Sequence, residues 1–238
     1  MAVREKCGVT MDGHGDCTKN DELAVLSRQH RWFAGRRNAL LRRVGFTSAG
    51  TILDLGCGPG FVLSDLRRRA PGTVAGLDRD EQALRNVNGL RVAGLGEALP
   101  FSSESLDLVV SQMVFLWFED PGSVLREIHR VLRVGGALAV VAEPDYGGAV
   151  EHPDAGALRQ LREKLTAEGG DIQIARKMPG LIAASGLSVE DCGMHSVKPV
   201  EAAREGSCYA SPELLGAGGA IREFLFVPYF WFLARRTV

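Results

Sequence analysis

Apolar positions along the chain follow two alternating rhythms. Between about Asp21 and Val44, Leu23, Leu26, Phe33, Leu40, Leu41 and Val44 recur at three- and four-residue steps, the period of a helix with one buried face. Gly35 weakens the middle of that segment and opens the option of two helices. Short apolar runs then alternate with helical stretches. Thr51–Leu55, Thr73–Leu77, Leu90–Ala93, Leu106–Val110 and Ala137–Ala142 read as strands, and Phe61–Arg69, Asp80–Val87 and Gly122–Leu132 as helices. Beyond Glu143 the rhythm loosens. Residues 154–168 and 178–185 read as helices and Leu187–Val197 as a sixth strand. A last strand over Tyr229–Ala234 starts after Pro228, because a proline inside a central strand removes a ladder bond. Strands regularly separated by helices predict an α/β fold, a mostly parallel sheet with helices on both faces.

Composition narrows the function only a little. The 238 residues are 45% hydrophobic and 24% charged, with a net charge of −1, so no global field gathers nucleic acid or an anionic membrane. Five cysteines, at 7, 17, 57, 192 and 208, are scattered and odd in number, which fits a reducing cytosol better than a disulfide framework. The longest apolar run, Phe224–Ala234, falls far short of the roughly 20 residues of a membrane helix. A soluble, cytoplasmic protein is expected. Residues 1–20 are polar and Gly-rich and read as a loose tail; Cys7, His14 and Cys17 within it match no standard zinc spacing, and no metal is expected.

The chemistry concentrates in TILDLGCGPG, Thr51 to Gly60, where Asp54 sits in an apolar run and Gly56, Gly58 and Gly60 follow. In an open parallel sheet, ligands lie beyond the carboxyl ends of the strands, and the first strand-to-helix turn is the usual place. The dinucleotide fingerprint G-x-G-x-x-G fails in register, and Asp54 would oppose a pyrophosphate. A ligand bearing an ammonium and a sulfonium suits that carboxylate better; S-adenosylmethionine (SAM) is such a ligand. Equally, Asp54 is a strand-end carboxylate taken up by the N–H groups of the turn. Asp78 ends the second strand eighteen residues past Gly60, the distance at which an acid accepts from a ribose diol; the alternative is a helix N-cap, a place for which Asp80 competes. Arg37 lies near the buried stripe of the first helical segment, either with its stem along apolar surface or as a cation facing a ligand carboxylate.

In these residues the chain resembles the class I SAM-dependent methyltransferases, in the branch similar to ubiquinone- and menaquinone-biosynthesis methylases. DLGCGPG is similar to the family's first motif and GLDRDEQAL to its ribose-binding segment. GLGEALPFSSESLDLVVSQMVFLWFEDP resembles the third and fourth strands with their loops, and LREIHRVLRVGGALAVVAEPDYGG the helix and fifth strand that follow. The resemblance, from about Arg28 to Gly186, implies a Rossmann-like seven-stranded sheet with its last strand antiparallel beside the fifth. It implies one domain over 21–238: a helical lid (21–46), a SAM-binding core (50–145) and a substrate-side segment (146–238). It also implies SAM as cofactor, S-adenosylhomocysteine (SAH) as product, and no metal. The turn, including Cys57, would lie under the methionine part. Asp78, with Arg79 beside it, would hold the ribose, Leu95–Gly96–Glu97 would meet adenine, and Ser111 and Gln112 would approach the methionine end. Leu95 stands where many relatives carry an aspartate for the adenine amino group.

On the acceptor side, Trp32, Phe33, Phe115, Trp117 and Tyr146 are candidates for an apolar pocket wall, with packing as the alternative. Glu143, Tyr146 and His152 are candidates for a proton acceptor. The expected partner is a small or medium organic molecule, methylated on O, N or C; a homodimer is an option. Two rivals are a SAM-binding interaction protein without transferase activity, supported by Leu95, and a nicotinamide-dependent oxidoreductase.

Overall fold

The computed structural model describes residues 19–85, 87–153, 156–195 and 224–238. The expectations for residues 1–18, for the end of the sixth strand and for Glu201–Ala220 lie outside them. Helix α1 (Lys19–Arg43) precedes strand β1 (Thr51–Leu55), helix α2 (Phe61–Arg69), β2 (Thr73–Asp78), the short α3 (Glu81–Leu84), β3 (Arg91–Ala93) and β4 (Leu106–Ser111). Helix α4 (Pro121–Val131), β5 (Leu132–Pro144), β6 (Val150–His152), α5 (Ala157–Ala167), α6 (Ile174–Ala184), β7 (Leu187–His195), β8 (Phe224–Phe226) and β9 (Tyr229–Arg236) complete it.

The main sheet has seven strands in the order β3-β2-β1-β4-β5-β9-β7. All pairs on the β3-to-β5 side are parallel, while β9 runs antiparallel to both β5 and β7. This is the expected seven-stranded, mostly parallel, Rossmann-like sheet with an antiparallel strand beside the fifth. Strand order reverses at β1, between β2 and β4, so a crevice opens past the ends of these three strands. The central strands are buried because both faces are covered: Ile52, Leu53 and Leu55 in β1, Leu108, Val109 and Val110 in β4, and Ala137 to Ala142 in β5 all belong to the core.

Several elements differ from expectation for identifiable reasons. Helix α1 is continuous through Gly35. Burial of Phe33, Arg37, Leu40 and Leu41 along its stripe outweighs the roughly 1 kcal/mol cost of a helical glycine. Helix α6 starts before Met178 and carries Pro179 inside it, held by the buried face Ile174, Ala175, Met178 and Ile182. Strand β5 begins at Leu132 rather than Ala137, because a bulge opposite Leu106–Leu108, with Gly135 at φ +82°, lets the ladder continue past the two glycines. Helix α3 stops at Leu84. The two-stranded sheet of β6 and β8 has no counterpart in the sequence reading. Among the described residues, no helix is long and apolar enough to cross a membrane.

Candidate active site

The site begins where β1 ends. Gly56, Gly58 and Gly60 all take positive φ, at +69°, +50° and +85°. A Cβ at position 56 would lie 2.2 Å from Val114 Cγ2, so only glycine lets the turn close under that side chain. A Cβ at position 58 would meet nothing within 4 Å; the space above that glycine is open. The turn is braced from β2: the Gly56 and Cys57 N–H groups donate to the Leu77 carbonyl at 2.8 and 3.0 Å, and the Gly58 N–H to Asp78 Oδ2 at 2.8 Å. Asp78 Oδ1 accepts from the Asp80 N–H at 2.9 Å. Asp80, not Asp78, caps α3, its Oδ1 accepting from Gln82 and Ala83. Each Asp78 oxygen thus spends one lone pair on backbone and keeps another for a ligand.

Two cavities meet along a seam made by Gly56, Asp78, Val114 and Trp117. The first, about 380 Å³, is walled by Arg79, by Leu95, Gly96 and Glu97, and by Phe118. Its loop is clamped from α4: Glu127 Oε2 accepts from the Leu99 N–H at 2.8 Å, and Arg130 donates to the Leu99 and Phe101 carbonyls. A Cβ on Gly96 would stand 2.8 Å from the Phe118 ring, so the loop packs against that ring only as glycine. The second cavity, about 240 Å³, lies between the turn, the end of β4, α1 and α5. Cys57, Gln112 and Tyr146 line it, with Met113 at φ +56° where β4 turns away.

Beneath the turn lies a buried ionic cluster. Arg37 is fully enclosed; it donates to Asp65 Oδ2 at 3.0 Å and to Gln112 Oε1 at 2.9 Å, which fixes the Gln112 amide at the cavity wall. Burial lowers the Arg37 pKa, and the hydrogen bond it donates to Asp65 opposes this. Asp54 lines neither cavity; it is buried, with Oδ2 unpartnered among the described residues. Burial pushes its pKa up to about 7, against the pull of Arg37 and the Leu63 N–H and with the push of Asp78. Burial also raises the Cys57 thiol, helped by Asp54 and Asp78, so this cysteine is no nucleophile. Ser111 is buried with its Oγ unpartnered among the described residues, and it lines neither cavity.

Other sequence candidates are elsewhere than expected. Glu143 is not at the mouth: it is fully buried and accepts from the Leu116 N–H at 2.9 Å and the Val114 N–H at 3.3 Å, holding the loop after β4 in shape. Burial lifts its pKa to about 7. His152 is exposed on the small β6–β8 sheet, away from both cavities. Phe33 packs against His195 and Tyr229 with ring centroids 5.4 and 4.9 Å apart, Trp32 leans on the core, and Phe115 is fully buried against Phe118. Of the aromatic set, Trp117 and Tyr146 are the members that line these two cavities. The sequence reading missed His30 on α1, Leu161, Lys164 and Leu165 on α5, and Glu168 just past its end, all of which line the second cavity. His30 left a signal: Leu26, His30, Phe33, Arg37 and Leu40 share one helical stripe, so a polar residue stands where an apolar one is expected.

A family model described as a methyltransferase domain matches residues 53–140. A malonyl-[acyl-carrier protein] O-methyltransferase of Pseudescherichia vulneris is 36% identical over 124 residues, covering 50% of this chain and 47% of that protein. An uncharacterized 37.1 kDa protein in transposon TN4556 of Streptomyces fradiae is 32% identical over 184 residues, covering 71% of this chain and 51% of its own length. The chain therefore spans about half the length of these curated relatives. The putative methyltransferase solved in complex with the Haloferax volcanii Trm112 methyltransferase activator superposes with a TM-score of 0.64 at 20% identity, over 92% of this chain and 96% of that one, which shows the shared fold. The matched methyltransferase domain, the glycine turn, the acid ending β2 and the order of the seven strands together support a class I SAM-dependent methyltransferase.

Proposed function

We propose that the chain transfers a methyl group from SAM to a small or medium organic acceptor, in the biosynthesis of a specialised or quinone-like metabolite and in the cytoplasm. The observation that carries this reading is the seam: one strand-end turn separates a cavity suited to a nucleoside from a cavity suited to an acceptor, so donor and acceptor would meet over Gly56 and Val114. The residues present fit the cofactor. Gly58 leaves room where a side chain would intrude, Asp78 has lone pairs for a diol, and the Gly96 loop offers adenine a backbone edge. Gln112, steadied by Arg37, would meet the methionine end. Asp54 would act through the turn by charge, not by contact, since it is closed off below.

When bound, SAM supplies a methyl group activated by a sulfonium. The chain's own contribution is then orientation and exclusion of water, and placement alone is worth about 7–11 kcal/mol of barrier. Trp117 and Met113 provide the dry wall, and Glu143 holds the 114–116 backbone that carries that wall. No side-chain nucleophile is needed. Calorimetric titration with SAM, followed by an assay of label transfer from methyl-labelled SAM to fractions of a cell extract, tests the reading. Binding with transfer to a small-molecule fraction supports it. Binding with no transfer to any fraction favours a SAM-binding protein without activity, and absence of binding removes the assignment.

A further inference from the structure

The second cavity has an uneven chemistry. Its walls are mostly apolar, with Phe61, Trp117, Leu161 and Leu165 prominent. Its charged members are acidic on balance: Asp78, Asp80 and Glu168 against Lys164, and Lys164 lies 3.9 Å from Glu168. Among the described residues, no arginine lines it. An acceptor carboxylate placed there, beside the one that the methionine end of SAM would bring to Gln112, would be desolvated, would face like charges and would find Lys164 already shared.

His30 is the polar group on the α1 side. Its Nδ1 is enclosed and unpartnered among the described residues, Nε2 is not, and the residue lines the cavity. The ring sits 6.1 Å from that of Phe61, and its backbone carbonyl is 3.5 Å from Arg37. Burial, followed by Arg37, pushes its pKa down to about 4, with Asp65 opposing and Arg68 and Arg31 adding, so the imidazole is neutral at physiological pH. A neutral imidazole can donate to or accept from a hydroxyl, and it offers a carboxylate no charge.

We propose that the acceptor is an uncharged, largely apolar molecule carrying a hydroxyl group, and that His30 orients it through a hydrogen bond from Nε2 to that hydroxyl. This rests on the methyltransferase reading and goes further: it separates the chain's acceptor from the acidic class named by the malonyl-[acyl-carrier protein] relative. His30 acts here as a binding and positioning residue in a cavity that Lys164 and Glu168 also line.

The test uses two probes with one ring system and different heads, 2-naphthol and 2-naphthoate, titrated calorimetrically into the full chain saturated with SAH. The wild type is expected to bind 2-naphthol at least about tenfold more tightly than 2-naphthoate. His30→Phe should erase that preference while leaving the affinity for SAH unchanged. His30→Gln, which keeps a hydrogen-bonding head, should restore part of it. The proposal is overturned if 2-naphthoate binds as well as 2-naphthol, if neither probe binds, or if His30→Phe keeps the preference. Failure of the wild type to bind SAH would overturn the methyltransferase reading as well, and that result is read first, before either probe is added.

Discussion

Removing the Asp78 carboxylate is the sharpest test of how the chain holds its cofactor. Asp78 does two things: it braces the glycine turn through the Gly58 and Asp80 N–H groups, and it borders both cavities with lone pairs to spare. A ribose diol bound there would make two hydrogen bonds to an ionised group, each worth about 1.5–3 kcal/mol. Taking the lower end, because the freed hydroxyls recover water, Asp78→Ala should cost about 3 kcal/mol, or roughly 100-fold in Kd. Asp78→Asn keeps one acceptor oxygen and should cost about tenfold. Fold stability should fall by only about 1 kcal/mol, since both backbone donors border open space where water can replace the acid. The assay is calorimetric titration of each variant with both SAM and SAH, beside urea denaturation of the free protein. SAM and SAH carry the same ribose, so both must lose affinity by the same factor. A loss confined to SAM would mean that Asp78 acts on the sulfonium charge. An unchanged Kd in a well-folded Asp78→Ala protein would refute the ribose contact altogether.

Three further outcomes follow from the buried groups. Glu143 is lifted from 4.5 to about 7, so the folded state holds its proton more tightly than the unfolded state does, and its contribution to stability is present at low pH and lost as pH rises to 7. Measured against Glu143→Gln by urea denaturation, the wild type should lose about 2 kcal/mol between pH 5.5 and 7.5; a gain over that window would contradict the assignment. Gly56→Ala combines positive φ with a 2.2 Å approach to Val114 and should cost at least about 2 kcal/mol, part of which Val114→Ala in the same chain should return by relieving the clash but not the backbone. Arg37→Met strips the counter-ion from Asp65 and Asp54 and the anchor from Gln112, with an expected loss of about 3–5 kcal/mol in chemical denaturation and weaker binding of SAM; stability equal to wild type would show that the cluster is dispensable.

Much of this architecture is legible in the sequence because its causes are local. The strand of β1 is a five-residue apolar run, the turn after it announces itself by three glycines, and Asp78 follows at the spacing that β2 dictates. The errors occur where tertiary burial overrides a local rule. Gly35 read as a weak point and the helix carrying Pro179 as starting only at 178, yet each residue sits within a helix whose buried stripe outweighs the local penalty. The two glycines before Ala137 read as a boundary, yet a bulge carries β5 through them.

The acceptor side was legible only in part, for a different reason. Trp32, Phe33 and Phe115 are large and apolar near a site, but such rings stabilise a core more than a cavity wall, and the sheet and α1 claimed them. Glu143 lies at the end of β5, where a proton acceptor was expected, yet the loop after β4 needed acceptors for its buried N–H groups more than the cavity needed a base. The residues of the second cavity that the sequence did not announce come from α1, before the glycine turn, and from α5 and its end, about a hundred residues after it. Which side of each helix meets the crevice depends on packing angle and helix phase, and neither is written in a local motif. The trace they leave is negative: His30 and Arg37 break an apolar stripe that the core otherwise required, and the structure explains both breaks, Arg37 by a buried counter-ion and His30 by a cavity. A polar residue in a stripe that no partner in the fold accounts for is therefore the sequence feature most worth following toward a ligand, and in this chain it leads to His30.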